Sequence, residues 1–386
     1  MWYNDLRADW RLNNNRYALI MLDPENEYAR EMDENMKRRT IVKLKELHQG
    51  IKANIPAKKV DQNLMLASWN IKNLGKIIQR TPESLFYMAE IMNAFDIIAI
   101  QELNSNISDF KKIVKILGSH WKYLFTDTTL GRRGNDERFA FIYDSRRVKH
   151  SGLAGELVVP DEFVPEDDPI LRQLKRTPTF TGFQSGWKKF TLTSVHFHPS
   201  DGAGGDDGVR DDETRDEEAR LLLKILEEKR KEGSFEDKNM IILGDTNIYQ
   251  NDTHIVDRFT NDGFRECDSL IGQPTNKSLT EGYDRIFYNV DDYFHLVKNP
   301  DGSESGGVFN VFDFVYKDDV DEIRQYNHLM LEHKGDPSTL TSPEKFRDYF
   351  NRYWKVNQMS DHLPVWIEIQ TDSSQNFLTN ILGRYD

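Results

Sequence analysis

Several side chains in this sequence of 386 residues are of types that act on phosphoesters, and each sits where an apolar run begins or stops. Asn70 follows LMLASW, Gln101 and Glu102 follow DIIAI, His196 follows FTLTSV, and Gly244, Asp245, Thr246 and Asn247 follow NMIIL. Asp284 opens DRIFY, and Ser360, Asp361 and His362 precede LPVWIEI. In any single case a turn is an adequate explanation, because Asp, Asn and Ser stabilise turns and proline is tolerated at a strand's first position. Six runs with the same habit point instead to a site built on strand ends, where rigid backbone holds side chains and loops leave room for a substrate.

The chemistry that suits this set is metal-assisted phosphoester hydrolysis. Glu102, Asp245 and Asp361 are carboxylates, and Asn70 and Asn247 add amide oxygens. Such hard oxygen donors fit Mg2+, with Mn2+ as a substitute, whereas zinc would call for more His or Cys. Asp245 and Asn247 are two apart, so in an extended segment they point the same way, and Gly244 lets backbone approach closely. His196 and His362 can move a proton or donate to a phosphoryl oxygen. Each needs a partner to hold its tautomer, and Glu137 and Asp284 are available carboxylates. His196 shares a strand face with Phe190 and Leu192, so a satisfied core histidine is the plain alternative there.

The positioning elements follow from periodicity. Strands are expected at 64–69, 96–100, 138–143, 190–197, 239–243, 284–288 and 363–369, with helices around 83–93, 107–117, 214–231 and 342–350. Strands with interspersed helices predict an α/β fold, a two-sheet sandwich flanked by helices. Residues 24 to about 50 are highly charged helix formers carrying Ile41, Leu44 and Leu47 as an apolar stripe. They predict a helical arm ending near Gly50, either packed on the outside of the domain or free to bind a protein partner. The expected organisation is an arm and linker over 1–62, a catalytic domain over 63–372 and a tail over 373–386. Because the motifs begin only at Asn70, a chain starting near Lys59 is expected to keep its activity. The Gly- and Asp-rich stretch 201–218 reads as a solvated loop entering a helix; it lacks the full ligand pattern of a calcium loop.

Composition narrows the class. The abundance of Phe (22) and Tyr (15) argues for a packed globule rather than a disordered chain. No apolar run approaches the roughly 20 residues of a membrane span, and the first residues lack the apolar core of a signal peptide. The lone Cys267 excludes an internal disulfide framework and fits a reducing compartment, so a cytoplasmic location is expected. A net charge of −13 argues against a passive nucleic-acid coat, since phosphate affinity comes from Lys and Arg. It leaves room for an enzyme that grips phosphate locally.

Taken in order, WNIKNLG, IQELN, ERFAFIY, SVHFHPSD, LGDTNIY, YDRIFYN and SDHLPV resemble the endonuclease/exonuclease/phosphatase superfamily, and within it the deoxyribonuclease I-like branch. The resemblance spans roughly residues 63 to 370. It implies a four-layer α/β/β/α fold and a Mg2+-dependent nuclease whose substrate is nucleic acid, DNA foremost. Glu102 would be the principal metal ligand beside Asn70 and Asp361, while Asp245 and Asn247 would bind a second metal or the phosphate and orient water. His196 would pair with Glu137 and His362 with Asp284, and Arg176 and Lys72 would meet phosphate. His198, beside the motif histidine, would have a minor role at best. Two positions depart from the family pattern: Asn104 and Asn135 stand where an arginine and a tyrosine would read a duplex minor groove. That predicts weak grip on intact duplex. A lipid or inositol phosphatase, a sphingomyelinase-like phosphodiesterase and a non-catalytic interaction module are the alternatives on the same fold. The module would be expected to have lost a ligand or histidine, and none is missing.

Overall fold

Alternation along the strands decides the layers. In the computed structural model, which describes residues 1–7, 32–77, 80–127, 137–164, 166, 171, 173–199, 211–235 and 237–385, twelve strands form two mixed six-stranded sheets. In chain order these are β1 (Asn63–Leu74), β2 (Ile97–Leu103), β3 (Trp121–Phe125), β4 (Arg138–Asp144), β5 (Lys149–Glu156), β6 (Thr179–Ser185), β7 (Lys188–His196), β8 (Met240–Asp245), β9 (Arg265–Glu266), β10 (Asp284–Asn289), β11 (Gly306–Val308) and β12 (Val365–Gln370). The first sheet runs β11-β12-β1-β2-β4-β3 and the second β5-β6-β7-β8-β10-β9.

Successive residues of a strand face opposite sides. Leu64 and Leu66 of β1, Ile97 and Ala99 of β2, Leu192 of β7, Ile241 and Leu243 of β8 and Val365, Ile367 and Ile369 of β12 fill the layer between the sheets. Their neighbours Met65, Ala67 and Trp69, with Ile98 and Ile100, turn outward onto helices α1 (Glu34–Asn54), α2 (Pro82–Met92) and α3 (Ser108–Leu117). On the other side Val195, Met240 and Ile242 pack beneath α4 (Asp211–Lys231) and α5 (Thr253–Asn261). The result is the expected four-layer α/β/β/α sandwich.

Each sheet contains one parallel pair, β1–β2 and β7–β8, and all its other pairs are antiparallel. A parallel pair requires a crossover, which α2 and α4 supply. This connectivity brings the C-terminal ends of β1, β2, β7 and β8 to one edge of the sandwich. The starts of their antiparallel neighbours β4, β10 and β12 lie at the same edge: Arg138 opposes Leu103, Asp284 opposes Asp245 and Val365 opposes Ser68.

The arm is packed rather than extended. α1 continues through Gly50 to Asn54, correcting the expected end. A Cβ at position 50 would lie 2.3 Å from the Phe314 ring, so this glycine admits a close contact instead of stopping the helix. Leu44 and Leu47 are buried, whereas Ile41 is 42% exposed. Arg39 pairs twice with the fully buried Glu83 of α2 at 2.9 Å, and Lys43 meets Glu322 at 2.6 Å. The segment around 317–350 thus lies against α1 through Glu322, with Arg39 also over Tyr326 at 4.4 Å. The 201–210 part of the Gly- and Asp-rich stretch and the first part of the arm, 24–31, fall outside the described residues. Among the described residues no helix is long and apolar enough to cross a membrane.

Candidate active site

The apolar face between the sheets turns polar at the shared edge. Continuing Leu64 and Leu66 by steps of two gives Ser68 and Asn70; continuing Ile97 and Ala99 gives Gln101; continuing Leu192 gives Ser194 and His196; continuing Leu243 gives Asp245. Gln101 stitches the sheets together beneath this polar floor, its Nε2 donating to Ser194 at 2.9 Å and to Ser68 at 3.2 Å. Gly244 makes the close approach possible: its φ is 143° and a Cβ there would lie 2.0 Å from the Val195 carbonyl oxygen. Only glycine fits.

Two histidine–carboxylate pairs converge on one aspartate. His362 Nδ1 is 2.8 Å from Asp284 Oδ2, and His196 Nδ1 is 3.0 Å from Glu137 Oε2. The other ring nitrogen of each histidine lies 3.5 Å from Asp245 Oδ2. Asp245 is buried, and the same oxygen accepts from Asn70 Nδ2 at 2.9 Å. Burial opposes a charge on His362, yet Asp284, Asp245 and Asp361 outweigh it and hold the imidazole protonated well above its ordinary range. Burial likewise opposes ionisation of Glu137, but His196 and Arg176 bring its carboxyl down to about 2.

Glu102 reaches the site through a break in regularity. The β2–β4 register shifts between Ile100 and Leu103, and Glu102 takes a left-handed φ of 59°, the device by which a bulge re-aims a side chain. Its carboxylate accepts from Asn70 Nδ2 at 3.0 Å and from the Asn73 backbone at 2.9 Å. Asn70 therefore holds Glu102 and Asp245 together, while its own Oδ1 is buried without a hydrogen-bond partner among the described residues. Asp361 is 43% exposed at the rim, 3.0 Å from Lys72 Nζ. Desolvation raises its pKa, but His362 and Lys72 prevail and keep the carboxyl below its usual range.

This donor set suits a hard cation. Glu102 and Asp361 supply charge, and the unpartnered Asn70 oxygen is an acceptor left over once the protein's own bonds are counted. Among the described residues no three or more His, Cys, Asp or Glu side chains form a metal cluster. A cation here would depend on amide oxygen and water, the hydrated coordination Mg2+ favours.

Three sequence expectations change with the geometry. Asn247 does not extend alongside Asp245. With φ 49° it turns back, its N–H donating to Asp245 Oδ1 at 3.1 Å and its Nδ2 to the Phe197 carbonyl at 3.0 Å, because the aspartate closes an Asx turn. Arg176 is buried and directed at Glu137, with Nε 2.8 Å from Oε2, so it braces the His196 partner rather than facing solvent. Asn104 is only 8% exposed and is not presented to a groove; Asn135 lies outside the described residues. His198 is buried, its backbone donating to Glu218 of α4 at 2.7 Å.

Other contributors had no assigned role in the sequence reading. The Ser360 hydroxyl donates to the Asn70 carbonyl at 2.7 Å and accepts from Lys72 N and His362 N at 3.1 Å, tying three site residues to one atom. Thr275 Oγ1 donates to Asp284 at 2.7 Å. Tyr283 lies 6.0 Å from the His362 ring and 5.2 Å from Tyr249, forming an aromatic flank. Both tyrosines fall inside conspicuous motifs, LGDTNIY and YDRIFYN, and that was the available signal.

No family model matches the chain and no curated protein matches it. Solved structures do resemble it. The catalytic domain of human Nocturnin with bound sulfate is 12% identical, covering 80% of this chain and 94% of that one, with a TM-score of 0.47. D. rerio TDP2 complexed with single-strand DNA product is 15% identical over 80% and 99%, and a mannosyl-6-phosphatase from Bacteroides thetaiotaomicron 18% over 79% and 99%, both with a TM-score of 0.47. An endonuclease/exonuclease/phosphatase family protein from Bacteroides thetaiotaomicron is 18% identical over 80% and 98%, again at 0.47.

Proposed function

We propose that the chain is a Mg2+-dependent phosphodiesterase that hydrolyses nucleic acid, DNA foremost, with Mn2+ able to substitute. The observation that carries this reading is the convergence of His196–Glu137 and His362–Asp284 on Asp245 Oδ2. Two oriented imidazoles around one buried carboxylate suit a reaction that must activate water and stabilise charge on a phosphoryl oxygen. Asp245 is the acceptor for the proton of the attacking water, and the Asn247 backbone N–H, donating to Asp245 Oδ1, holds that carboxylate in place. His362, held cationic by its carboxylate neighbours, donates to a phosphoryl oxygen. Asn70 keeps Glu102 and Asp245 in register, and Lys72 offsets charge at the rim. Glu102, Asn70 and Asp361 would hold the metal, with Asp245 and Asn247 nearest to any second ion; bound there, Mg2+ supplies Lewis-acid stabilisation of phosphoryl charge.

The preferred substrate is flexible or single-stranded nucleic acid, ends and nicks included. Asn104 is buried, and a net charge of −13 repels a polyanion except near the rim lysine, so duplex binding should be weak and shallow in its salt dependence. The test is hydrolysis with Mg2+ of plasmid, single-stranded DNA, RNA and a phosphoinositide panel, with Glu102→Gln and a chelator as controls. Single strands should be cut fastest, and the folded Glu102→Gln variant should lose several orders of magnitude. A folded variant as fast as wild type, or turnover confined to phosphoinositides, refutes the assignment.

A further inference from the structure

Arg80 lies outside every motif, just ahead of α2, and is only 7% exposed. Two chain segments that carry the site meet on it. One is the end of β1 beyond Asn70; the other enters Ser360, Asp361 and His362 from a short helix, Lys355–Gln358. Arg80 Nη2 donates to the Lys72 carbonyl at 2.9 Å, and its Nε donates to the carbonyls of Asn357 and Gln358 at 3.2 Å each. The last carbonyls of a helix have no partner within it and attract cations, so the guanidinium caps this helix while gripping the end of β1.

The start of α2 repeats the link. Gln358 Oε1 accepts from Thr81 N at 2.7 Å, from Thr81 Oγ1 at 2.9 Å and from Ser84 Oγ at 3.0 Å. Both gripped segments lead directly to site atoms. Lys72 N donates to Ser360 Oγ, Lys72 Nζ meets Asp361, and Asn73 N donates to Glu102. Trp69 Nε1, also on β1, donates to the His362 carbonyl at 3.0 Å.

Packing alone does not account for an arginine here. Burying a guanidinium costs several kcal/mol, and its three acceptors are neutral carbonyls. Nη1 is buried without a hydrogen-bond partner, and among the described residues no carboxylate pairs with Arg80, although Asp109 and Glu102 attract it through space. What arginine offers is a rigid planar fork that holds its donors in fixed directions. We propose that Arg80 is a positioning residue of the active site: its fork fixes the end of β1 against the segment 357–362 and so sets how Asn70 and Glu102 stand relative to Asp361 and His362. The proposal rests on the phosphodiesterase reading for the reaction it serves, but the coupling between the two segments can be read without turnover.

The test is steady-state kinetics on thymidine 5′-(4-nitrophenyl phosphate) with Mg2+, with circular dichroism and urea unfolding of each variant. A misplacement of about 1 Å can cost about 10²-fold, so folded Arg80→Met should lose about 10²-fold in kcat, with KM changed by less than about threefold. Arg80→Lys keeps the charge but not the fork and should lose about tenfold. The control is Arg147→Met, which breaks the ion pair with buried Asp96 beside the start of β2, the end away from Glu102. It should lower stability and leave kcat at the wild-type value. A kcat within about twofold of wild type in Arg80→Met, a loss confined to KM, or an equal kcat loss in Arg147→Met overturns the proposal. Should Arg80→Met not fold, Arg80→Lys carries the test, and a wild-type kcat in it overturns the proposal. The indole N–H resonance of Trp69 reads the coupling separately, because its acceptor is the His362 carbonyl. Both Arg80 variants should shift that resonance and Arg147→Met should not; an unshifted resonance in the Arg80 variants overturns the coupling. If wild type does not hydrolyse the ester while the Trp69 resonance still depends on Arg80, the hydrolase reading fails and the coupling stands.

Discussion

Replacing Asp284 by Asn isolates what a buried carboxylate does for His362. The Asp284 side chain is fully shielded from solvent, and one oxygen accepts from both His362 Nδ1 at 2.8 Å and Thr275 Oγ1 at 2.7 Å. Asparagine keeps the size and an acceptor but removes the charge that orients and protonates the ring. A hydrogen bond to a charged group is worth about 1.5–3 kcal/mol, so Asp284→Asn should lower kcat by roughly 10- to 100-fold. His362→Ala removes the imidazole itself and should cost about 10²- to 10⁴-fold. If Asp284 acts only through His362, the double variant should be no slower than His362→Ala alone, because members of one unit are strongly non-additive. The assay is steady-state kinetics on wild type, both single variants and the double. Circular dichroism must confirm each fold, since breaking a buried pair can itself cost about 3–5 kcal/mol. Losses that multiply across the four proteins would refute the pairing and assign Asp284 a separate role.

Two further outcomes follow from charges the fold has enclosed. Glu137, only 11% exposed, has its carboxyl brought to about 2 from an ordinary 4.5. A carboxyl depressed in the folded state stabilises it above pH 4.5 and loses that stabilisation as pH falls toward 2, about 3 kcal/mol in all. Urea unfolding across that window should show a pH slope that Glu137→Gln flattens; an unchanged slope would contradict the His196–Glu137–Arg176 arrangement. Arg39→Met should strand the buried Glu83 and destabilise the protein by about 3–5 kcal/mol, with much of the loss recovered in the Arg39→Met/Glu83→Gln double. A loss under about 1 kcal/mol in the single variant, by denaturant titration, would show α1 to be a surface attachment. Starting the chain near Lys59 would remove this pair together with Leu44 and Leu47, which revises the expectation that the arm is dispensable.

Much of the site was legible because strand periodicity is a local property. A run such as Phe190, Leu192, Ser194, His196 declares that one face passes from core to polar floor, whatever its neighbours are. The seven apolar strands and four helices expected from the sequence are present for the same reason, with boundaries moved by a few residues. β5 carries no such signal, because it reads KHSGLAGE, an edge strand with one face in solvent and too few apolar residues to set a period. β3, β6 and helix α5 are likewise absent from the elements expected from periodicity.

What only the tertiary structure decided is where each charged side chain turns. Arg176 could equally have met a phosphate; Glu137, 39 positions away, takes it instead. Arg39 is one of many charges in the arm, and only the packing of α1 on α2 gives it Glu83, 44 positions away, as its partner. Residue type and spacing determine which chemistry is available and on which face of a strand it sits. Whether a charge is spent on the protein or remains for a substrate depends on long-range partners, because Coulomb energy is set by distance in space and by the surrounding dielectric, not by separation along the chain.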